Sequence, residues 1–418
     1  MRIAVVGSGI AGLASAWLLS HLHEVTLYEQ SPRLGGHTDT HAVEVDGQQF
    51  AVDTGFIVHN PQHYPLLTQL FEALDVASRE TTMGFSVQNQ ASGLEYNATS
   101  LGGLFCQRRN LVSPRFLGMV RDLLRFYREA PALLDSTDAG PSLGEYLQAN
   151  DYGAAFRDDH LVPMASALWS APPSSILAFP AAYLVRFMAN HQMLQVADRP
   201  QWRTVVGGSS TYVHAMQARW SVRVHTDCTV RAVWRDAAGV AIHAGGDLQR
   251  FDQVVLACHS DQALRLLADA DARETEVLGA MPYQDNAVVL HTDARLLPTR
   301  RKAWAAWNAF VPRDPGAPCT VSYCMNLLQG LQSREPIVVT LNRSEAIDPA
   351  RVLVQRQYAH PVYTRASVAA RARKSEIQGQ RRTWFAGAYW GWGFHEDGMR
   401  SAVEVANALG VRWPAATP

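Results

Sequence analysis

The chain opens on an unbroken apolar run, Ile3-Ala4-Val5-Val6, and not on an alternation. That is the pattern of a strand buried on both faces, as in a parallel sheet. A helix-compatible segment from Ile10 to about His21 follows, then a second strand, Val25-Thr26-Leu27-Tyr28, ending at Glu29. Alternation from Ala42 to Val52 predicts a hairpin turning at Asp46-Gly47. Leu66, Leu67, Leu70, Phe71 and Leu74 recur at helical spacing and predict a helix within Pro61–Val76. Ser113-Pro114 starts another, to about Leu134, with an apolar stripe of Phe116, Val120, Leu123, Leu124 and Tyr127; Arg121, Arg125 and Arg128 share another face. Later come a strand at Val222–Thr226, a buried strand with a small-residue turn at Phe251–Cys258, and a strand ending Phe385-Ala386-Gly387 with a helix to Leu409. The fold class that follows is α/β, with a parallel sheet begun by the first two strands.

Gly7, Gly9 and Gly12 stand in G-x-G-x-x-G spacing between the first strand and the first helix. Gly7 permits the tight turn, Gly9 lets a pyrophosphate approach the backbone, and Gly12 lets the helix pack closely on the sheet. The helix start, at Ile10 and Ala11, offers unpaired N–H groups to phosphate oxygens. Glu29, closing the second strand, is placed to take the hydroxyls of an adenosine ribose.

The continuation Glu29-Gln30-Ser-Pro-Arg33-Leu-Gly35-Gly36-His37 resembles the E-x-x-x-R-x-G-G-x extension of the flavin amine oxidase and phytoene desaturase superfamily. The resemblance implies FAD, with NAD second, and places Arg33, Gly35 and Gly36 along the pyrophosphate and ribityl chain. It further implies that Asp53-Thr54-Gly55 passes near the flavin; as a bare sequence, Asp53 reads equally as a turn residue. Trp202–Ser209, with Gly207-Gly208, resembles the family's re-entry motif, and the backbone of Val230 would hold the adenine. Gly387 to Met399 resembles the C-terminal signature, whose loop and helix start (Phe394, His395, Met399) contact the flavin's pyrimidine edge. Backbone N–H groups at a helix start stabilise the negative charge that reduction leaves there. The G-F-H-E-D-G ending is closest to a bacterial group associated with enzymes that modify unsaturated fatty-acyl chains. Three departures weaken an amine oxidase reading: Tyr389 replaces an acidic residue, His37 replaces an arginine, and Ala287–Asp293, which aligns with a lysine-bearing strand, holds no lysine.

At 418 residues and 47% hydrophobic, the chain can bury a large core and hold two domains. The resemblance implies a discontinuous, doubly wound (Rossmann-type) FAD-binding domain in pieces 1–77, 201–263 and 380–418, plus a mixed α+β substrate domain in pieces 78–200 and 264–379. A net charge of -1 argues against bulk electrostatic binding of nucleic acid. Five cysteines without C-x-x-C indicate neither a disulfide framework nor a metal site, and fit a reducing, cytoplasmic compartment. No run is long enough to cross a bilayer. The Arg121/Arg125/Arg128 helix admits two readings: peripheral contact with an anionic membrane, or a solvated face with ordinary charge pairing.

His395, Glu396 and Asp397 are the candidates to orient the flavin or move a proton, or else to cap the helix they begin. The Met- and aromatic-rich stretches His160–Pro173 and Phe187–Leu194 read as core or as the lining of an apolar pocket. Asn190, His191, Met193, Trp307, Trp390 and Trp392 are the candidate pocket walls. The expected enzyme is an FAD-dependent oxidoreductase taking a hydride from a small-molecule or lipid substrate, led by a desaturase or dehydrogenase of unsaturated or methylated fatty-acyl lipid. An amine oxidase is the alternative, and a flavoprotein without net redox turnover a further one.

Overall fold

The computed structural model describes residues 1–135, 140–169, 173–197, 199–314 and 317–413. Residues 170–172 of the first Met-rich stretch and 414–418 of the last expected FAD-binding piece lie outside them. A five-stranded sheet runs in the order Val222–His225, Glu24–Tyr28, Arg2–Val6, Gln253–Leu256, Thr383–Phe385, every neighbour parallel. The chain starts in the middle, builds one side, and crosses to the other only at residue 253. Such a reversal of strand order is where open α/β sheets bind nucleotides, beyond the carboxyl ends of the central strands.

The apolar run at the start is explained by two covers. Ile3, Val5, Val25, Leu27 and Val255 join the core shared with the helices Ile10–Leu19 and His395–Ala408. Their neighbours Ala4, Val6, Tyr28, Val254 and Leu256 pack on the antiparallel sheet of Val230–Asp236, Gly239–Ala244 and Asp247–Phe251. Alternate side chains of one strand thus enter two cores. The expected strand at 251–258 is a change of sheet: Asp252 N–H donates to the Arg2 carbonyl (2.8 Å), and the parallel strand starts one residue later.

A seven-stranded sheet forms the other half, in the order Val352–Pro361, Tyr283–His291, Val338–Leu341, Thr320–Cys324, Trp307–Val311, Phe85–Asn89, Leu94–Asn97. Its single parallel pairing, Trp307–Val311 with Phe85–Asn89, joins two distant stretches of chain. Helices between Pro114 and Asn190 cover it around Phe116, Phe126, Phe156, Trp169 and Phe187. The helix begun at Ser113-Pro114 is α-helical to Glu129 and tightens to a 3₁₀ turn over Ala130–Asp135, because Pro131 cannot donate within the helix. Among the described residues no helix is long and apolar enough to cross a membrane.

Candidate functional site

The glycine loop sits at the strand-order reversal. A Cβ on Gly12 would meet the Gly7 carbonyl oxygen at 1.9 Å, so helix and loop touch only because that side chain is missing. Gly9 is the opposite case: a Cβ there meets nothing within 4 Å. Its φ of -65° suits any residue, so the space above it is the feature that matters. Gly9 caps a helix without a side-chain acceptor, leaving the first N–H groups turned to that space. Glu29 faces it too, its carboxylate accepting from Ser8 N–H (2.9 Å), Ser8 Oγ–H (2.6 Å) and Ser31 N–H (2.8 Å).

Arg33 braces the next turn, donating to the carbonyls of Thr38 (3.0 Å) and Gly36 (2.9 Å) and pairing with buried Asp39 at 2.9 Å. Asp39 also receives Arg356 and the Tyr358 hydroxyl. Burial opposes its ionisation, but hydrogen bonds from His41 and Tyr358 and the charge of Arg33 hold it well below the usual carboxylate range. Buried Asp53 accepts from Ser209 N–H and Oγ–H (2.8 Å each) and from Gln329, tying the hairpin to the Gly207-Gly208 turn; burial pushes it up to about 6.

The C-terminal helix completes the cleft from the far side. Gly398 lies so close to Ile10 that a Cβ would meet its side chain at 2.7 Å, which brings the two helix N-termini together. The His395 ring stacks on Phe56 (centroids 3.8 Å apart) with Nε2 3.0 Å from Thr38 Oγ1 and 3.4 Å from Tyr212 Oη. Burial pushes its pKa down to about 3, so the ring is neutral. Its two acidic neighbours serve the backbone instead. Glu396 accepts from Leu66 N–H (3.1 Å) and Leu67 N–H (3.0 Å), capping the helix Pro65–Ala73, and burial pushes it up to about 7. Asp397 accepts from Trp392 N–H and Phe394 N–H and pairs with Arg400; burial raises it too.

One cavity of about 1280 Å³ runs from this cleft into the seven-stranded half. That exceeds the roughly 300–1,000 Å³ of ordinary ligand pockets, leaving space for a dinucleotide and a substrate end to end. Of the candidates, Gly7, Gly9, Ile10, Ala11, Glu29, Gln30, Arg33, Gly36, His37, Thr54, Gly55, Val230, Gly387, Phe394 and His395 line it. So do His191, Met193, Trp307 and Trp392. Gly12, Gly35, Glu396, Asp397 and Met399 stand behind the wall, Met399 in the core between the two helices. Trp390 turns away, its indole N–H donating to the Phe385 carbonyl (3.0 Å), and Asn190 is exposed at the end of Ala181–Asn190.

The structure adds partners that no motif marked, Tyr96, Tyr358 and His360 among them. His160 lines the apolar half with Nδ1 on the Tyr96 hydroxyl (2.8 Å), and His37 lies against Tyr358 (5.0 Å) and His360 (5.3 Å). His191 places Nδ1 2.9 Å from the Phe187 carbonyl, which can only accept, so Nδ1 carries the proton and Nε2 keeps its lone pair. Burial lowers the pKa of His191, keeping it neutral. His37 lies more than three hundred residues from Tyr358 and His360, so pairing in space was the only available signal for that contact.

These residues fit an adenine–flavin dinucleotide. His37 Nε2 and the hydroxyl of Tyr363 belong to lining residues, are shut off from water and have no hydrogen-bond partner among the described residues. Buried polar groups of this kind are matched by something in the site. With the open space over Gly9 and the acceptor at Glu29, they describe a long polar cradle leading to an apolar end.

Residues 10–316 match the family described as flavin containing amine oxidoreductase. Over 78 residues the chain is 38% identical to the carotenoid phi-ring synthase of Chlorobaculum tepidum, covering 18% of this chain and 12% of that protein. The match thus spans about an eighth of that curated relative. A redesigned putrescine oxidase superposes with a TM-score of 0.71 at 15% identity, covering 98% of this chain and 99% of the other. A CLA-producing fatty acid isomerase from P. acnes superposes at 0.67 with 16% identity, over 98% and 99%. At such identities the likeness establishes a shared fold.

Proposed function

The chain belongs to the flavin-containing amine oxidoreductase family and is an FAD-dependent oxidoreductase, and from that premise we propose that its substrate is an unsaturated or methylated fatty-acyl lipid, desaturated by loss of a hydride and a proton. Bound FAD supplies the hydride acceptor. The pyrophosphate would lie on the N–H groups from Gly9 to Ala11, the ribose on Glu29 and the adenine against Val230. The flavin end would lie among His37, Thr54, Gly55, Gly387, Phe394 and His395.

The observation that carries the substrate reading is the chemistry of the cavity wall. Among its described residues the only carboxylates are Glu29, at the ribose end, and Asp285, on an exposed strand position. The far end is walled by Met119, Leu123, Met164, Leu168, Phe187 and Met193. A cationic amine drawn there would lose its hydration with no opposite charge to meet it. An acyl chain gains by the same transfer. The fold itself carries a putrescine oxidase and a fatty acid isomerase, so the wall has to discriminate. His191 is the chain's candidate for the proton: neutral, with Nε2 free to accept it. His395, its Nε2 within reach of Thr38 and Tyr212, orients the flavin edge.

The test is anaerobic mixing of FAD-loaded protein with phospholipid bearing monounsaturated or methyl-branched acyl chains, and separately with putrescine and aromatic amines. Loss of the oxidised flavin absorbance with lipid alone is the expected result. Bleaching by an amine alone would sink the reading in favour of amine oxidation.

A further inference from the structure

The large apolar side chains left exposed are unevenly spread. Leu111, Val112, Leu117 and Leu124 fall in one turn and the helix that follows it, and Val196 joins them. On the helix Pro114–Glu129 the outward stripe reads Leu117, Arg121, Leu124, Arg128. The expected apolar stripe faces inward, with Phe116 in the core and Val120, Leu123, Leu124 and Tyr127 lining the cavity; Leu117 is the apolar residue that the outward line adds. Leu124 and Val196 are exposed and also line the cavity, as does exposed Arg199. The apolar end of the cavity therefore opens at this surface.

The same surface is basic. Residues 108–129 hold six arginines against two carboxylates, in a chain whose net charge is -1. Arg121 and Arg128 pair with Asp122 and Glu129, yet keep 76% and 75% of their side chains exposed. Val112, at 79% exposed, stands in the turn that leads into the same helix. Isolated exposed leucines need no explanation, but a set grouped with arginines along one turn and helix, with Leu124 and Arg199 at the mouth of an apolar cavity, does.

We propose that this rim, from Arg108 to Arg128 with Val196 and Arg199, docks on an anionic phospholipid surface, setting the cavity mouth against the bilayer. Leu111, Val112 and Leu117 enter the headgroup boundary while the arginines meet lipid phosphates. A protein partner of acidic surface would satisfy the arginines but would not explain why the mouth of the cavity lies among them. The inference goes beyond the proposed reaction and is scored without turnover, so vesicle binding and flavin bleaching can each fail alone.

The experiment floats the FAD-loaded full chain with vesicles of phosphatidylcholine alone and of equal parts phosphatidylcholine and phosphatidylglycerol. Binding to the anionic vesicles, lost in raised salt and at least about tenfold weaker on neutral ones, is expected. R108Q/R121Q/R128Q and V112D should each weaken it at least about tenfold at unchanged melting temperature and flavin absorbance. The salt titration of the unaltered chain stands independently of the variants. No flotation with anionic vesicles, equal binding to both compositions, or self-association through Val112 without vesicle binding would each overturn the proposal.

Discussion

Gly9 and Gly12 stand three residues apart and should fail in opposite ways when changed. A methyl group on Gly12 collides with the carbonyl of Gly7, so G12A should lose folded protein. On Gly9 it meets open space at an ordinary φ, so G9A should keep the melting temperature of the FAD-free protein to within about 1 °C. It should nevertheless bind FAD at least about tenfold more weakly, because the methyl fills the volume kept for the pyrophosphate. Equal FAD affinity in a titration of G9A would show that the phosphates lie elsewhere. Both positions and both roles were legible in the sequence as one motif; what was not legible is the neighbour that Gly12 meets and the extent of the space above Gly9. Neither is a property of spacing. Glu396 and Asp397 show the same limit, since their partners Leu66, Leu67 and Trp392 are set by the fold.

The elements themselves followed closely from periodicity, because each buries a continuous face: the first helix, the hairpin at Asp46-Gly47 and the helix closing at Ala408 all lie where expected. What periodicity missed is how one element ends on another. Glu396, in the first turn of the C-terminal helix, is the N-terminal cap of Pro65–Ala73, which has none of its own. E396A should therefore cost about 1–2 kcal/mol of stability, read by denaturant unfolding. E396Q keeps an acceptor oxygen and should recover at least half of it. Neither change should alter the rate of flavin reduction in loaded protein by more than about twofold, since Glu396 stands behind the cavity wall. A large loss of rate without loss of stability would return Glu396 to the reaction itself. The helix Pro114–Glu129 is the other instructive case: its arginines and its inward apolar stripe were visible in the sequence, but the exposed Leu117 beside Arg121 was not marked by that stripe.

Across the whole molecule, nine histidines (His37, His59, His63, His160, His191, His259, His291, His360 and His395) are held below the ordinary imidazole range, each chiefly by burial. The unfolded chain takes up these protons near pH 6.5, whereas the folded one resists to about 4 at His59, His63, His160, His291 and His360. Between those values the unfolded state binds more protons, so stability falls as the pH falls. Asp53 and Glu396, raised to about 6 and 7, act the other way: protonated in the fold, they support it at low pH and lose that support as the pH rises through those values. The histidines outnumber them. The FAD-free protein should therefore melt at least about 5 °C lower at pH 5 than at pH 7 in a thermal scan, and an unchanged or higher melting temperature would contradict the burial described.

The order of the parallel sheet also has a meaning in time. Arg2–Val6 leaves the ribosome ahead of its neighbour Gln253–Leu256 and of the edge strand Thr383–Phe385, which follow hundreds of residues later. Until they arrive, the nascent polypeptide carries a glycine loop lacking Ala257 beside Gly7 and Gly398 beside Ile10. Vitamin-derived cofactor can be captured only after translation has passed those points, so flavin loading is late relative to the glycine loop, and a chain stalled before His395–Ala408 remains colourless.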